Sequence, residues 1–194
     1  MQREVLWSVW DKPGLEHLRL TIGEDEIIAD AELITTLFED RPIRTDYWIR
    51  CDAQWRVREL RASADVGELV AVILQSDAEG HWTDEEGKLR PDLDGCIDVD
   101  IMATPFTNTL PIRRLSWTNG TSADLTVAYV KLPTLEVVAA RQRYTCVQTV
   151  NGEGIFRYES RDSGYVNELP VDADGLVIDY PGIWRRVWPN PANP

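Results

Sequence analysis

The sequence predicts an all-β or strongly β-biased fold with few short helices, and three observations carry that expectation. Apolar and polar residues alternate at period two in stretch after stretch. Strand signals recur at intervals of about 8 to 12 residues, and few helix start or stop signals intervene. The composition is that of a folded domain: of 194 residues, 43% are apolar and 27% charged, which is too apolar for a disordered chain. A chain of this length buries roughly 70% of the surface its unfolded form exposes. With no repeat and no interdomain linker, it reads as one β-rich domain over residues 1–188 and a proline-rich tail over 189–194.

Taken in order, Val5–Trp10 is aromatic and β-branched and stops at Asp11, Lys12, Pro13 and Gly14, a turn signal. Leu18, Leu20 and Ile22 alternate with Arg19 and Thr21, which predicts a strand with one buried face. Ile27–Phe38 fits a helical stripe through Ile27, Ala31, Ile34 and Phe38, but its Ile, Thr and Phe content favours strand. Tyr47–Cys51 and Trp55–Arg58 alternate on either side of Asp52–Gln54, a hairpin with a three-residue connection. Gly67–Gln75 is almost continuously apolar and reads as the core strand, covered on both faces. Ser76–Gly95 is acidic and punctuated by glycine, so short strands, turns and a solvated rim are expected there.

Beyond the Asn119–Gly120 turn, strands are expected at 125–131, at 135–149 as one bent strand or two, at 155–160 and at 176–180. Trp184–Trp188 closes the pattern. The WPNPANP tail cannot continue a ladder, because proline has no N–H to donate.

Charge and cysteine content exclude whole classes of function. Lys and Arg number 20 against 33 Asp and Glu, a net charge of -13 whose field repels phosphate backbones, so nucleic acid is not an expected partner. Cys51, Cys96 and Cys146 are odd in number and widely spaced, which fits a reducing compartment rather than a disulfide framework. The N-terminus lacks a basic region followed by an apolar run, and no apolar segment nears the roughly 20 residues that span a bilayer. A cytoplasmic protein without integral membrane association is the expectation.

Chemistry concentrates in Gly95–Leu115, reading GCIDVDIMATPFTNTLPIRRL. In an extended CIDVDI, Asp98 and Asp100 share one face and Ile97, Val99 and Ile101 the other. The pair admits cation ligation with Asp92 and Asp94, acid and base catalysis, or a polar face bound to arginine; the closing Glu of a calcium loop is missing, and arginine pairing is the simplest. From Thr104 to Pro111, two prolines interrupt any ladder, so a shaped loop is expected. Its hydroxyls and amide either satisfy their own backbone or orient the head of an amphiphile. Arg113 and Arg114 are adjacent and on a strand would point to opposite faces; one of them could anchor Asp98 or Asp100. His17 and His81 sit in no catalytic motif, and the chain has no nucleophile elbow, phosphate-cradling loop or zinc helix.

That long run, with Trp7, YWIRCDAQWRVR at 47–58, GHW at 80–82, QRYT at 142–145 and GLVIDYPGIWRRV at 175–187, closely resembles the bacterial family of putative glycolipid-binding proteins over almost the whole chain. The resemblance implies a single domain with a curved antiparallel sheet, a β-roll or incomplete barrel, related to bacterial carriers of lipidated proteins. It also implies a lipid or glycolipid ligand, with Thr104, Phe106, Asn108, Thr109, Arg113 and Tyr144 around the site and Trp82 and Tyr180 as further lining. Asp98 and Asp100 belong to the same motif as bracing residues or as an acid/base pair. The family supplies no catalytic residues, metal or cofactor.

The leading expectation is therefore non-enzymatic binding of an amphiphile in a concave sheet. The alternative is an enzyme acting on a small sugar-like or acyl substrate with Asp98 and Asp100 as acid and base. The position of the two aspartates separates them: burial against arginine with no cavity alongside removes catalysis, and an unpaired carboxylate in a polar cleft favours it. Oligomeric state has no signature in the sequence.

Overall fold

The computed structural model describes residues 1–38 and 41–189. Among the described residues, fourteen strands carry the fold. The first seven, β1 (Gln2–Val9), β2 (Gly14–Ile22), β3 (Glu26–Thr35), β4 (Ile43–Asp52), β5 (Val57–Asp65), β6 (Leu69–Ser76) and β7 (Trp82–Asp84), form an antiparallel meander. After β8 (Asp98–Ile101) and the short helix α1 (Thr109–Arg114) come β9 (Ser122–Val130), β10 (Val137–Val150), β11 (Glu153–Ser160) and β12 (Val166–Val171). The chain ends with β13 (Asp179–Tyr180) and β14 (Trp184–Trp188), which return to β1 and extend the first sheet to nine strands. The second, curled sheet has the order β12-β11-β10-β9-β8. An all-β fold with little helix is what the period-two pattern predicts; its partition into two sheets is not visible in that pattern.

Alternation sets what is buried. Val5, Trp7 and Val9 on β1, Leu18 and Leu20 on β2, and Tyr47, Ile49 and Cys51 on β4 form the inner face of the first sheet. The outer face carries ion pairs such as Arg19–Asp30 and Arg44–Glu32, placed across neighbouring strands. Of Ile27–Phe38, the part to Thr35 is strand β3, the Ile and Thr content prevailing over the helical stripe, and 36–38 lie beyond its end. The β4–β5 hairpin is present with a four-residue connection, 53–56; Asp52 accepts the N–H groups of Gln54 and Arg56, and Trp55 takes a positive φ.

Several local expectations need correction. The apolar run 67–75 is not a strand covered on both faces: Leu69, paired with exposed Asp65, lies on the outer face and is 75% exposed, while Val70 and Val72 on the inner face are only partly buried where the short β7, paired only with Leu74–Ser76, leaves β6 as an edge. Of the two forms expected for 135–149, the structure has the single bent strand: β10, with a bulge between Cys146 and Gln148. Strand β12 went unread, since Val166–Val171 contains Asn167, Glu168 and Pro170 and shows no apolar run. Arg113 and Arg114 lie in the last turn of α1, not on a strand. Strand β8 runs parallel to β9, because the chain crosses back through α1 between them. Of the tail, Pro189 is described and 190–194 lie outside the described residues.

Candidate functional site

The stretch between the two sheets forms a plug. It starts where the Gly95 N–H donates to the Gly80 carbonyl at 2.8 Å and the Trp82 indole N–H donates to the Cys96 carbonyl at 2.7 Å. Glycine is required at position 80: φ is +98°, and a Cβ there would lie 3.1 Å from Gly95 Cα. Every residue from Ala103 to Ile112 is buried, and a 3-10 turn at Phe106–Asn108 runs directly into α1. Polar side chains tolerate this burial only with partners.

The partners come from both sheets. Toward the first sheet, the Thr104 hydroxyl donates to Glu16 Oε1 at 2.6 Å, the Tyr47 hydroxyl donates to the same oxygen at 2.7 Å, and the Tyr47 ring stacks on Phe106 with centroids 6.2 Å apart. Glu16 is fully buried and its Oε2 has no partner, so burial outweighs the two hydrogen bonds and pushes its pKa up to about 8. Toward the second sheet, the Tyr144 hydroxyl donates to Asn108 Oδ1 at 2.8 Å. Asp100 accepts from the Thr107 hydroxyl on Oδ1 at 2.8 Å and from Gln142 Nε2 on Oδ2 at 2.6 Å.

Beside the plug, the concave face of the second sheet encloses a cavity of about 710 Å³. Asp100 on β8, Tyr129 on β9 and Val138 on β10 form one row across its wall, consecutive partners in the ladder. Ala140, Gln142, Tyr158 and Ser160 continue that wall, Thr104, Asn108 and Met102 come from the plug, and Leu37, Phe38, Tyr180 and Ile183 come from the first sheet and its loops. Tyr158, Tyr165 and Tyr180 pack on one another with centroids 6.3 to 6.5 Å apart. Burial raises the pKa of Asp100, against the hydrogen bonds from Thr107 and Gln142; burial and then the Asp100 charge push Tyr129 to about 12.

Among the residues expected at the site, Thr104, Asn108, Tyr180 and Asp100 share the cavity wall, and Tyr144 stands one hydrogen bond behind it. The others lie elsewhere. Phe106 is packed on Tyr47; the Thr109 hydroxyl donates to the Gly175 carbonyl; Trp82 is a core residue. Arg113 sits over the Trp55 ring, 5.3 Å from its centroid, and donates to the Ala173 carbonyl. Gly175, with φ +75°, makes that approach possible, since a Cβ would come 2.9 Å from Arg113 Cδ. Asp98 is gripped by the Arg114 fork, with Nε–Oδ1 2.9 Å and Nη2–Oδ2 2.6 Å, and does not line the cavity. The two aspartates therefore have separate surroundings: Asp98 is paired with arginine away from the cavity, and Asp100 lines it with neutral donors alone.

Sequence reasoning did not single out Glu16, Tyr47, Tyr129, Gln142 or Tyr158. Both Gln142 and Glu16 had a signal, since period two places Gln142 on the face of Tyr144 and Glu16 on the face of Leu18 and Leu20. Among the described residues no three acidic, histidine or cysteine side chains converge as metal ligands, and no helix is long and apolar enough to cross a membrane.

Fold and site together define a two-sheet β protein with a lateral, tyrosine-rich cavity beside a buried polar plug. The chain belongs to the family described as "Putative glycolipid-binding", whose model matches residues 4–186. It is similar to the crystal structure of a DUF1089 family protein from Pseudomonas aeruginosa, at 36% identity and TM-score 0.79, covering 92% of this chain and 95% of that one. A β-barrel-like protein of the DUF1849 family from Brucella abortus aligns over 95% of this chain and 93% of its own at 10% identity and TM-score 0.47, too distant to carry an argument. No curated protein sequence matches the chain.

Proposed function

We propose that the protein binds one amphiphilic molecule, a lipid or glycolipid, in the cavity of the second sheet, as a cytoplasmic, non-enzymatic binding protein. The observation that carries this reading is the cavity itself: about 710 Å³ lies within the range of small-molecule sites, and its wall joins aliphatic and aromatic surface to a few fixed polar groups. Leu37, Phe38, Val138 and Ile183 suit an acyl chain, while Asp100, Asn108, Thr104 and Gln142 suit a polar head. The family description points the same way. The acid/base alternative loses its second carboxylate to Arg114.

Organic extraction of the purified protein followed by mass spectrometry, with calorimetric titration of long-chain glycolipids, tests the proposal. A co-purifying amphiphile or saturable binding is expected. Ala140→Trp, which fills the cavity from β10, is expected to abolish binding while leaving the near-ultraviolet circular dichroism native. Protein that is consistently empty and binds no glycolipid refutes the reading, as does binding that survives Ala140→Trp.

A further inference from the structure

We propose that the end of the molecule around the cavity mouth is a membrane-docking surface that seats on a zwitterionic phospholipid bilayer, so that ligand passes between bilayer and cavity without crossing water. The inference rests on the amphiphile-binding reading above and goes further by assigning it a surface and a partner.

Solubility sets the need for such a surface. Each methylene of a chain favours an apolar medium over water by roughly fourfold, so a long-chain amphiphile resides in bilayers and is scarce as free monomer. A protein that takes up such a molecule gains access to it by holding the mouth of its cavity against the bilayer.

The mouth has the composition that this requires. Met102 and Tyr165 line the cavity and are exposed, and Leu37, Phe38 and Ile183 line it half-buried. Loops converge here at one end of the first sheet: the Trp10 N–H donates to the Ile183 carbonyl at 2.9 Å, and the Thr36 N–H donates to the Pro13 carbonyl at 3.2 Å. These loops carry the apolar surface beyond the cavity. Trp10 is exposed beside Ile183, and Leu15 and Ile34, ladder partners on the outer face, are exposed next to the same loops. Apolar residues gathered around one opening mark an interaction site, whereas single ones scattered over a surface do not. Trp10 and Tyr165 are also the side-chain types that settle at the headgroup level of a membrane, with an apolar ring and a polar edge.

Charge selects the kind of bilayer. Two charged residues of the lining, Lys131 and Asp162, are each paired, with Glu136 at 3.0 Å and with Arg141 at 2.7 Å. Arg185 lies over the Trp10 ring, 5.9 Å from its centroid, which brings a guanidinium to the phosphate level together with the indole. The chain as a whole carries a net charge of -13, so an anionic membrane repels it and a zwitterionic one does not. A protein seated on the same ring of residues would cap the opening; a bilayer leaves it facing a store of amphiphile.

The test is co-sedimentation of the full chain with large unilamellar phosphatidylcholine vesicles, run beside a calorimetric titration with monomeric n-dodecyl-β-D-maltoside, which reaches the cavity without a bilayer. The wild type is expected to bind both, and to bind phosphatidylglycerol vesicles more weakly than phosphatidylcholine vesicles at low salt. Trp10→Glu and Ile34→Glu change side chains that do not line the cavity; each is expected to weaken vesicle association by about fivefold or more and to leave maltoside binding unchanged. The two are independent, so the test stands if one of them does not fold. Leu89→Glu, at a residue 68% exposed and bridged to Thr83 away from the mouth, is expected to change neither. A wild type that binds the maltoside and no vesicles overturns the docking surface and leaves the cavity reading standing. Vesicle association that is unmoved by the folded variants, weakened as much by Leu89→Glu, or as strong on phosphatidylglycerol overturns the assignment. A wild type that does not bind the maltoside refutes the amphiphile reading, and the docking role with it.

Discussion

Glu16 offers a direct test of how the plug is held. Its carboxyl is fully buried, accepts hydrogen bonds from Thr104 and Tyr47 on one oxygen and leaves the other unpartnered. Burial raises its pKa from 4.5 to about 8. In the interval between those values the folded protein holds a proton that the unfolded chain has released, so unfolding free energy falls as pH rises. Stability is full below the unfolded value and is lost as pH climbs toward the folded one. Some 3.5 pH units at 1.36 kcal/mol each set an upper bound of about 5 kcal/mol for the whole interval, of which about 3 kcal/mol is gone by pH 7. Glu16→Gln removes the titration and keeps an oxygen for Thr104 and Tyr47. Urea unfolding of both proteins at matched pH values from 5 to 8.5 isolates this residue, since all other titrating groups are shared and cancel in the difference. The wild type is expected to lose several kcal/mol relative to the variant across that range, with unchanged m-values. Parallel stability profiles would show that Glu16 is charged in the fold and that the reasoning from its burial is wrong.

Other perturbations follow from the same contacts. Arg114→Met strands the buried Asp98 charge and is expected to cost about 3 kcal/mol in urea unfolding, with partial recovery on adding Asp98→Asn. Tyr144→Phe leaves Asn108 Oδ1 without its donor and is expected to cost about 1–2 kcal/mol. Gly175→Ala forces a Cβ against Arg113 at a positive φ and is expected to destabilise by about 1–2 kcal/mol, lowering the thermal midpoint.

How far the sequence could be read depends on the range of the physics involved. Period-two alternation is local, so β1 through β5 and the β9–β11 set are legible from residues such as Leu18, Leu20 and Ile22 or Tyr47, Ile49 and Cys51. What alternation lacks is the identity of the neighbouring strand. Gly67–Gln75 looks like a core strand, yet Leu69 faces outward beside Asp65 and the short β7 leaves Val70 and Val72 only partly covered. The arginines show the same limit: a doublet in an apolar-bounded run reads as strand, yet α1 lets Arg114 turn to Asp98 and Arg113 to Trp55. Within the central stretch, the paired chemistry of Asp98 and arginine was visible, and the richness of Thr104–Asn108 was too. Which of its polar groups face space and which face partners was not. Thr104 and Asn108 reach the cavity, while Phe106 and Thr109 are spent on packing, because partners such as Tyr47 and Gly175 come from positions far along the chain. Glu16 shares the buried face of Leu18 and Leu20, but its donors, Tyr47 and Thr104, come from far along the chain.

The plug is bonded to one sheet through Glu16 and Tyr47 and to the other through Asp100, which accepts from Thr107, and Tyr144, which donates to Asn108. It therefore acts as a spacer of fixed length, and the gap between the sheets cannot widen without breaking buried polar contacts on one side or the other. Such a receptacle is a mould rather than a glove: it sorts occupants by whether they fit its existing dimensions. Traffic in and out then falls to the rim, where Leu37, Phe38 and the turn at Asp162–Tyr165 border the cavity without being part of the spacer.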